Sequence, residues 1–375
     1  MAKQILFLMS DTGGGHRASA NALIEALNQF QGDAVQCRMV DLLMGYGSWP
    51  LSRAGVYYQP LVDRHLWLWQ LMNRYSNQPL LWRSTARAAR FWQLAGLRRF
   101  VADNPADLYV SVHPLLNHAP QWMLRQAYPH ARFATVVTDL VSAPHPWYSP
   151  TVDLLVASCP AVQTAARRAG VPPSRVLLAG LPIRQGFAQA RPGLDQARAA
   201  LALEQRPTVL LLGGGEGMGM LEASATALAA ALAPQGGQLA VICGRNRALH
   251  DRLSSRRWPG PVRIAGYVDN MPLWMAASDL VVSKAGPGTI AEALACGLPL
   301  ILNGFVPGQE TGNVAYVEEN RVGVYCSDPE QIASLAASWL EPDNPALAAM
   351  SRRARALARP TAALEIAQAL SALLV

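Results

Sequence analysis

The sequence predicts an α/β protein of two Rossmann-like domains facing a central cleft, and three observations predict it. Short apolar runs alternate with helical patterns in both halves, which is the signature of a doubly wound parallel sheet. Glycine-rich turns close the first strand of each half, SDTGGGH at 10–16 and GGGEGMG at 213–219. In residues 283–304 an apolar run ending at Val282 meets Gly286-Pro287-Gly288, then a helical pattern, a Gly297 stop and a second apolar run. Strand, loop, helix and strand thus follow one another in a single stretch. With 375 residues the chain has room for two domains of ordinary size. They are expected at 1–182 and 183–375.

Taken in order, residues 5–9 (ILFLM) read as a buried strand, and the turn after it leads into a helix with Leu23, Ile24, Leu27 and Phe30 on one face. His16 stands at that turn, toward the carboxyl edge of the sheet, where open α/β folds bind ligands. A short strand follows at 35–40. Residues 45–100 carry no strand signal and are broken by Pro50, Pro60 and Pro79, so they read as an inserted set of short amphipathic helices. Alternation resumes with a strand at 107–112 ending on His113 and another at 133–138 ending on Asp139. If the strands are parallel, both polar ends share the edge that carries His16; turn chemistry alone also accounts for them. Strands at 154–157 and 176–179 close the first half. Residues 180–204, rich in Ala, Arg and Gln, read as the linker. The second half continues with strands at 207–212, 239–242, 262–268, 280–282 and 298–302. From Pro329 the chain is helical, and its last helix is expected to pack back on the first domain.

Hydrophobic residues make up 51% of the chain and charged residues 15%, yet no run of 18 uncharged apolar residues occurs. A transmembrane helix is therefore not expected, and the apolar segment at 5–9 is too short for a signal peptide. The five cysteines (Cys37, Cys159, Cys243, Cys296 and Cys326) show neither a CxxC pair nor metal-ligand spacing, which fits free thiols in a reducing compartment and no zinc site. A net charge of +7 points to an anionic partner, either nucleic acid or a membrane surface. Between Leu51 and Phe100 there are eight arginines and one acid, Asp63, mixed with Trp67, Trp69, Trp82 and Trp92. That mixture suits a segment lying among lipid headgroups, and an ordinary basic helical hairpin has the same composition.

Glycine turns at helix starts present backbone amides and the positive end of a helix dipole, which favours a phosphate. The second turn does not match G-x-G-x-x-G, and nothing matches G-x-x-x-x-G-K-[ST], so neither a dinucleotide site nor a P-loop is supported. Glu292, about one turn into its helix, can accept hydrogen bonds from sugar hydroxyls. The loop with Gln309, Glu310 and Asn313 carries amide and carboxylate groups suited to the same task.

Two such halves facing one cleft suggest a nucleotide-sugar glycosyltransferase of the GT-B type, and longer motifs sharpen the likeness. SDTGGGHRASA (10–20), SVHPL (111–115), VTDL (137–140), ICGRN (242–246), KAGPGTIAEA (284–293), LNG (302–304), GQE (308–310) and Gly312-Asn313 closely resemble the monogalactosyldiacylglycerol synthases. These belong to glycosyltransferase family 28, together with the lipid-II-forming N-acetylglucosaminyl transferase, and the likeness covers essentially the whole chain. The resemblance implies a GT-B fold, a UDP-galactose or UDP-glucose donor held by the C-terminal domain, diacylglycerol as acceptor at a membrane surface, and a β-glycoside as product. On the donor side it implies Gly215, Glu216, Gly217 and Met218, with Gly286, Pro287, Gly288 and Thr289, around the diphosphate. Tyr267 and Val268 would meet the uracil, with Arg245 among the donor contacts, and Glu292 would bind the ribose. Gln309, Glu310 and Asn313 would orient the transferred sugar. On the acceptor side it implies His16, Asp139, His113, Gly14, Gly15, Trp67 and Trp69.

An acceptor hydroxyl that attacks the anomeric carbon needs a base, and the departing UDP needs its charge stabilised. His16 is the first candidate for the base. Asp139 is the second, acting directly or by polarising a histidine. No D-x-D occurs, so helix dipoles, loop amides and Lys284, one of only two lysines, are expected to replace a metal. Neither metal nor cofactor is expected. The expected location is peripheral, on the cytoplasmic face of a membrane rich in anionic lipid, with no nucleic acid partner. Two other readings stay open: transfer to an undecaprenyl-linked or already glycosylated lipid, and a non-catalytic basic module that binds membrane or nucleic acid.

Overall fold

The computed structural model describes residues 2–189, 192–213, 220–342 and 344–374. The chain divides into two compact units, the first made of Met1–Gln185, Pro307–Gly312 and Thr361–Val375, the second of Gly186–Val306 and Asn313–Pro360. The sequence division at 182/183 thus lies three residues before the first crossing, and two later segments return to the first unit. One of them carries Gln309 and Glu310.

The first unit is built on a parallel sheet of β1 (Lys3–Met9), β2 (Val35–Asp41), β3 (Leu108–Ser111), β4 (Arg132–Val136), β5 (Leu154–Ala157) and β6 (Val176–Leu178), in the order β2-β1-β3-β4-β5-β6. Side chains alternate across a strand, so each apolar run feeds two cores. Leu6, Leu8, Tyr109, Phe133 and Leu155 pack on one face with Leu97, Phe100 and Trp147. Ile5, Phe7, Val110, Ala134 and Val156 pack on the other, against Leu23 and Leu27 of the helix Gly14–Gln31 and Ile366 and Leu370 of the helix Ala362–Ser371. The insert forms helices Leu42–Tyr46, Ala54–Arg64, Leu66–Ser76, Pro79–Trp92 and Leu94–Asp103, with no strand among them. Large apolar side chains stay in solvent on this segment, Phe91 at 75% and Trp67 at 66% exposure. Among the described residues no helix is long and apolar enough to cross a membrane.

The second unit carries a parallel sheet of β7 (Thr208–Leu212), β8 (Gln238–Ile242), β9 (Val262–Ala265), β10 (Leu280–Lys284), β11 (Leu300–Gly304) and β12 (Gly323–Tyr325), in the order β12-β11-β10-β7-β8-β9. Sequence reading misses β12. It is three residues long, Gly-Val-Tyr, and has no apolar run to announce it. The linker expectation for 180–204 also needs correction. The helix Leu194–Ala200 lies inside it, and its buried Arg198 pairs with Asp279 at 2.7 Å, so the alanine-rich stretch is packed structure within the second unit.

Both sheets have a topological switch point, where successive strands leave the starting strand on opposite sides. In the first unit it lies between β1 and β3, in the second between β7 and β10. The crevice beyond the carboxyl ends of such strands is where open α/β sheets bind ligands.

Candidate active site

In the first unit the switch point gathers two histidines. β1 ends at Met9, and Gly13, at φ 110, turns the chain into the helix Gly14–Gln31. A side chain would be strained at that φ. His16 therefore sits in the first turn of the helix, not in the loop before it. His113 follows β3 by two residues. The two rings meet edge to face with centroids 4.6 Å apart. His16 is half-buried, and its Nδ1 lies 2.9 Å from Thr138 Oγ1. His113 is buried, and both its nitrogens have partners: Nδ1 accepts from the Leu115 amide at 3.3 Å, and Nε2 lies 2.9 Å from Thr12 Oγ1. Burial pushes His16 down to about 4 and His113 well below the usual imidazole range, His113 further disfavoured by the neighbouring ring. Both are neutral at pH 7.

Asp139 follows β4 by three residues and is buried. The Trp147 indole N–H donates to its Oδ2 at 2.6 Å, and the Gln309 side chain hydrogen-bonds it as well. Burial pushes its carboxyl up to about 6 against those two hydrogen bonds, with nearby Glu310 adding to the rise. Gln309 in turn accepts a hydrogen bond from Tyr58 OH at 3.0 Å on its Oε1. Tyr58 belongs to the insert helix Ala54–Arg64, and the ring of Trp69 packs edge-on against it at 5.4 Å. A chain of contacts thus runs Trp69, Tyr58, Gln309, Asp139, Trp147. The hydrogen bond of His16 goes to Thr138, while Asp139 is held by Trp147 and Gln309.

Several expected residues take other places than a single cluster requires. Gln309 and Glu310, expected to orient the transferred sugar, lie in the first unit, Glu310 buried and Gln309 engaged by Tyr58 and Asp139. Trp67 and Trp69, both expected on the acceptor side, sit two positions apart on the helix Leu66–Ser76 and so face different ways. Trp69 turns toward Tyr58 while Trp67 stays in solvent. Thr138, Thr12, Tyr58 and Trp147 were not singled out from sequence. Thr138 lies inside the VTDL motif, but Tyr58 and Trp147 gave no signal of their own.

In the second unit the loop after β10 is held from two sides. Ala285 N–H donates to Gly304 O at 2.7 Å, and the Asn313 amide donates to Ala285 O at 2.8 Å. Asn313 is buried, and among the described residues its Oδ1 has no hydrogen-bond partner. The helix Pro287–Cys296 begins with Pro at its first position, where the missing N–H costs nothing, and ends on Gly297 at φ 69. Its first amides belong to Gly288 and Thr289. Among the described residues, a Cβ added at Gly288 would meet nothing within 4 Å outside its chain neighbours and its own helix backbone, and the same holds at Gly14 and Gly15 in the first unit. A register shift between Ser283 and Lys284 interrupts the pairing of β10 with β11, which resumes with Lys284 opposite Gly304, and the Lys284 side chain is exposed beside the loop. Glu292 lies in the second turn of the helix, half-buried. Beyond β8 and β9 the Arg245 guanidinium stacks over the Tyr267 ring at 4.9 Å, and with Gly244, Arg247, His250 and Gly266 they line a cavity of about 680 Å³. Val268 follows Tyr267, half-buried. Gly215, Glu216, Gly217 and Met218 lie outside the described residues. Among the described residues no group of three or more His, Cys, Asp or Glu side chains could hold a metal ion.

Comparison with known proteins agrees in both halves. A family model described as monogalactosyldiacylglycerol (MGDG) synthase matches residues 16–183, and one described as glycosyltransferase family 28 C-terminal domain matches residues 208–368. Probable monogalactosyldiacylglycerol synthase 2, chloroplastic, of Oryza sativa subsp. indica is 43% identical over 379 residues, covering 97% of this chain and 79% of that protein. Monogalactosyldiacylglycerol synthase 1, chloroplastic, of Arabidopsis thaliana is 40% identical, covering 97% and 70%. Among solved structures, MurG of Acinetobacter baumannii superimposes with a TM-score of 0.61 at 14% identity over 99% of both chains. Anabaena Alr3699/HepE in complex with UDP-glucose gives 0.53 at 18% identity, over 99% of this chain and 100% of the other. At those identities the likeness establishes the GT-B-like fold of two parallel sheets.

Proposed function

The chain belongs to the monogalactosyldiacylglycerol synthase family, a family of glycosyltransferases, and from that premise we propose that it moves galactose from UDP-galactose to the free hydroxyl of diacylglycerol at a membrane surface, inverting to a β-glycosyl lipid. The observation that carries this reading is His16, a neutral imidazole in the first helical turn at the switch point of the first unit. An imidazole kept unprotonated at pH 7 is ready to accept a proton from an alcohol.

In this mechanism the diacylglycerol hydroxyl gives its proton to His16 as its oxygen bonds to the anomeric carbon. The bond from that carbon to the diphosphate oxygen breaks, and UDP leaves with the electron pair. In-line displacement at an α-linked donor gives the β-linked lipid. The leaving charge falls to the amides of Gly288 and Thr289, the positive end of the helix Pro287–Cys296 and Lys284. These groups do the work of a cation, so the reaction needs no metal. Tyr267 and Arg245 take the base in the cavity they line, and Glu292 takes the ribose hydroxyls. Gly14, Gly15 and Gly288, where added side chains would occupy open space, leave the backbone accessible to substrate. The insert supplies the membrane contact through its exposed Trp67, Leu80 and Phe91 and its arginines.

A donor panel tests the reading. UDP-galactose, UDP-glucose and UDP-N-acetylglucosamine are each offered with diacylglycerol vesicles, and the product is identified by mass and by its anomeric proton coupling. The expected product is β-galactosyl diacylglycerol, formed at full rate in the presence of EDTA. No transfer to diacylglycerol, transfer from UDP-glucose or UDP-N-acetylglucosamine but not from UDP-galactose, or an α-linked product rules the proposal out.

A further inference from the structure

We propose that Thr138 is a positioning residue that holds His16 in the tautomer with hydrogen on Nδ1, leaving the Nε2 lone pair to take the acceptor proton. This rests on the reading of His16 as the base and adds the group that orients it.

The assignment follows from partners that can only accept. Thr138 Oγ1 lies 2.9 Å from His16 Nδ1 and 3.3 Å from the carbonyl oxygen of Val112. That carbonyl also faces the His16 ring. A carbonyl has no hydrogen to give, so the threonine hydroxyl hydrogen points at it, and Oγ1 turns a lone pair to Nδ1. The chain then runs Nδ1–H to Oγ1–H to O=C, with every hydrogen placed. The opposite tautomer sets the Nδ1 lone pair against the Val112 carbonyl and leaves the threonine with two acceptors and one hydrogen. Thr138 is buried, as is Val112, so water does not readily repair that mismatch.

His113 shows the contrast. Its Nδ1 accepts from the backbone N–H of Leu115, which places its hydrogen on Nε2, and that hydrogen goes to Thr12. Both nitrogens of His113 are thus committed. Two histidines in ring contact carry opposite tautomers, and His16 keeps the lone pair on Nε2. The role usually filled by a carboxylate beside a catalytic histidine falls to a neutral hydroxyl here, because Asp139 is engaged by Trp147 and Gln309. In the transfer step the acceptor proton moves to Nε2 while the Nδ1 hydrogen stays on His16, hydrogen-bonded to Thr138 Oγ1. The balance needs nothing further.

The test compares Thr138→Val, which keeps the shape and removes the hydroxyl, with Thr138→Ser, which keeps the hydroxyl. Valine is expected to lower kcat about tenfold to a hundredfold with KM for the UDP-sugar unchanged, and serine to restore most of the rate. Nitrogen NMR of histidine-labelled wild-type protein is expected to show His16 protonated on Nδ1, and the valine variant a mixture. A wild-type His16 protonated on Nε2 overturns the assignment whether or not the variants fold. So does a folded valine variant with wild-type kcat. Loss of the base reading itself is distinguishable: His16→Ala then leaves turnover unchanged while the wild-type tautomer stays as proposed.

Discussion

His16 and His113 touch ring to ring, yet only one is available for proton transfer, because the other spends both nitrogens on Leu115 and Thr12. Replacing His16 with alanine should lower kcat by about 10²- to 10⁴-fold, the usual reach of a general base, while the UDP affinity measured by calorimetry stays the same. Asp139 belongs to a different range of pH. Its carboxyl is pushed up to about 6, whereas His16 is pushed down to about 4 and is already unprotonated above pH 5. If the ionised carboxylate aids turnover, kcat should rise through pH 6 in the wild type, and that limb should vanish in Asp139→Asn. A limb near pH 6 that survives the substitution assigns it elsewhere. Sequence brought His16, His113 and Asp139 to one sheet edge because strand ends in a parallel sheet share it. It did not show that Gln309 reaches Asp139 and Tyr58, since the Tyr58–Gln309 bond joins residues 251 apart in sequence and no periodicity reports such a contact.

The insert and the helix Pro287–Cys296 are the elements whose chemistry can be tested apart from turnover. Basic residues near an anionic surface contribute about 1 kcal/mol each, so Arg83→Ala with Arg87→Ala should weaken sedimentation with phosphatidylserine vesicles roughly tenfold to thirtyfold. The same pair should leave binding to neutral vesicles unchanged. Trp67→Ser with Phe91→Ser should weaken both, since those side chains are exposed and apolar. Equal binding of the wild type to neutral and anionic vesicles contradicts the electrostatic part. At the helix start, Gly288→Ala adds a Cβ that, among the described residues, meets nothing outside its chain neighbours and its own helix backbone. The variant is therefore expected to melt at or slightly above the wild-type temperature while UDP binds at least tenfold more weakly; unchanged UDP affinity removes this loop from the donor site. These elements were legible from sequence because Pro, Gly and the 3.6-residue period mark helix limits directly. The strand β12 was not, since three residues with one buried position carry too little pattern.

For the whole molecule, the shifted histidines set how stability depends on pH. His16, His113, His118 and His145 all have folded pKa values lowered by burial, and all four lie in the first unit. Between pH 6.5 and about 4 the unfolded chain binds protons that the folded one refuses, so stability falls as pH falls through that window. Asp139 and Asp279 have the opposite sign, their raised pKa values favouring the fold as the pH falls, but they are two groups against four. Thermal melts from pH 7.5 to 5 should therefore show a falling Tm, and a flat profile contradicts the account. The two doubly wound sheets, the glycine turns and the family were determined by sequence alone, because hydrophobic period and backbone-restricted residues act locally and need no knowledge of distant neighbours. The partnership of each polar side chain was decided only by the tertiary structure. A hydrogen bond is made to whatever donor or acceptor the fold brings within about 3 Å, and that is how Thr138, not Asp139, comes to stand beside His16.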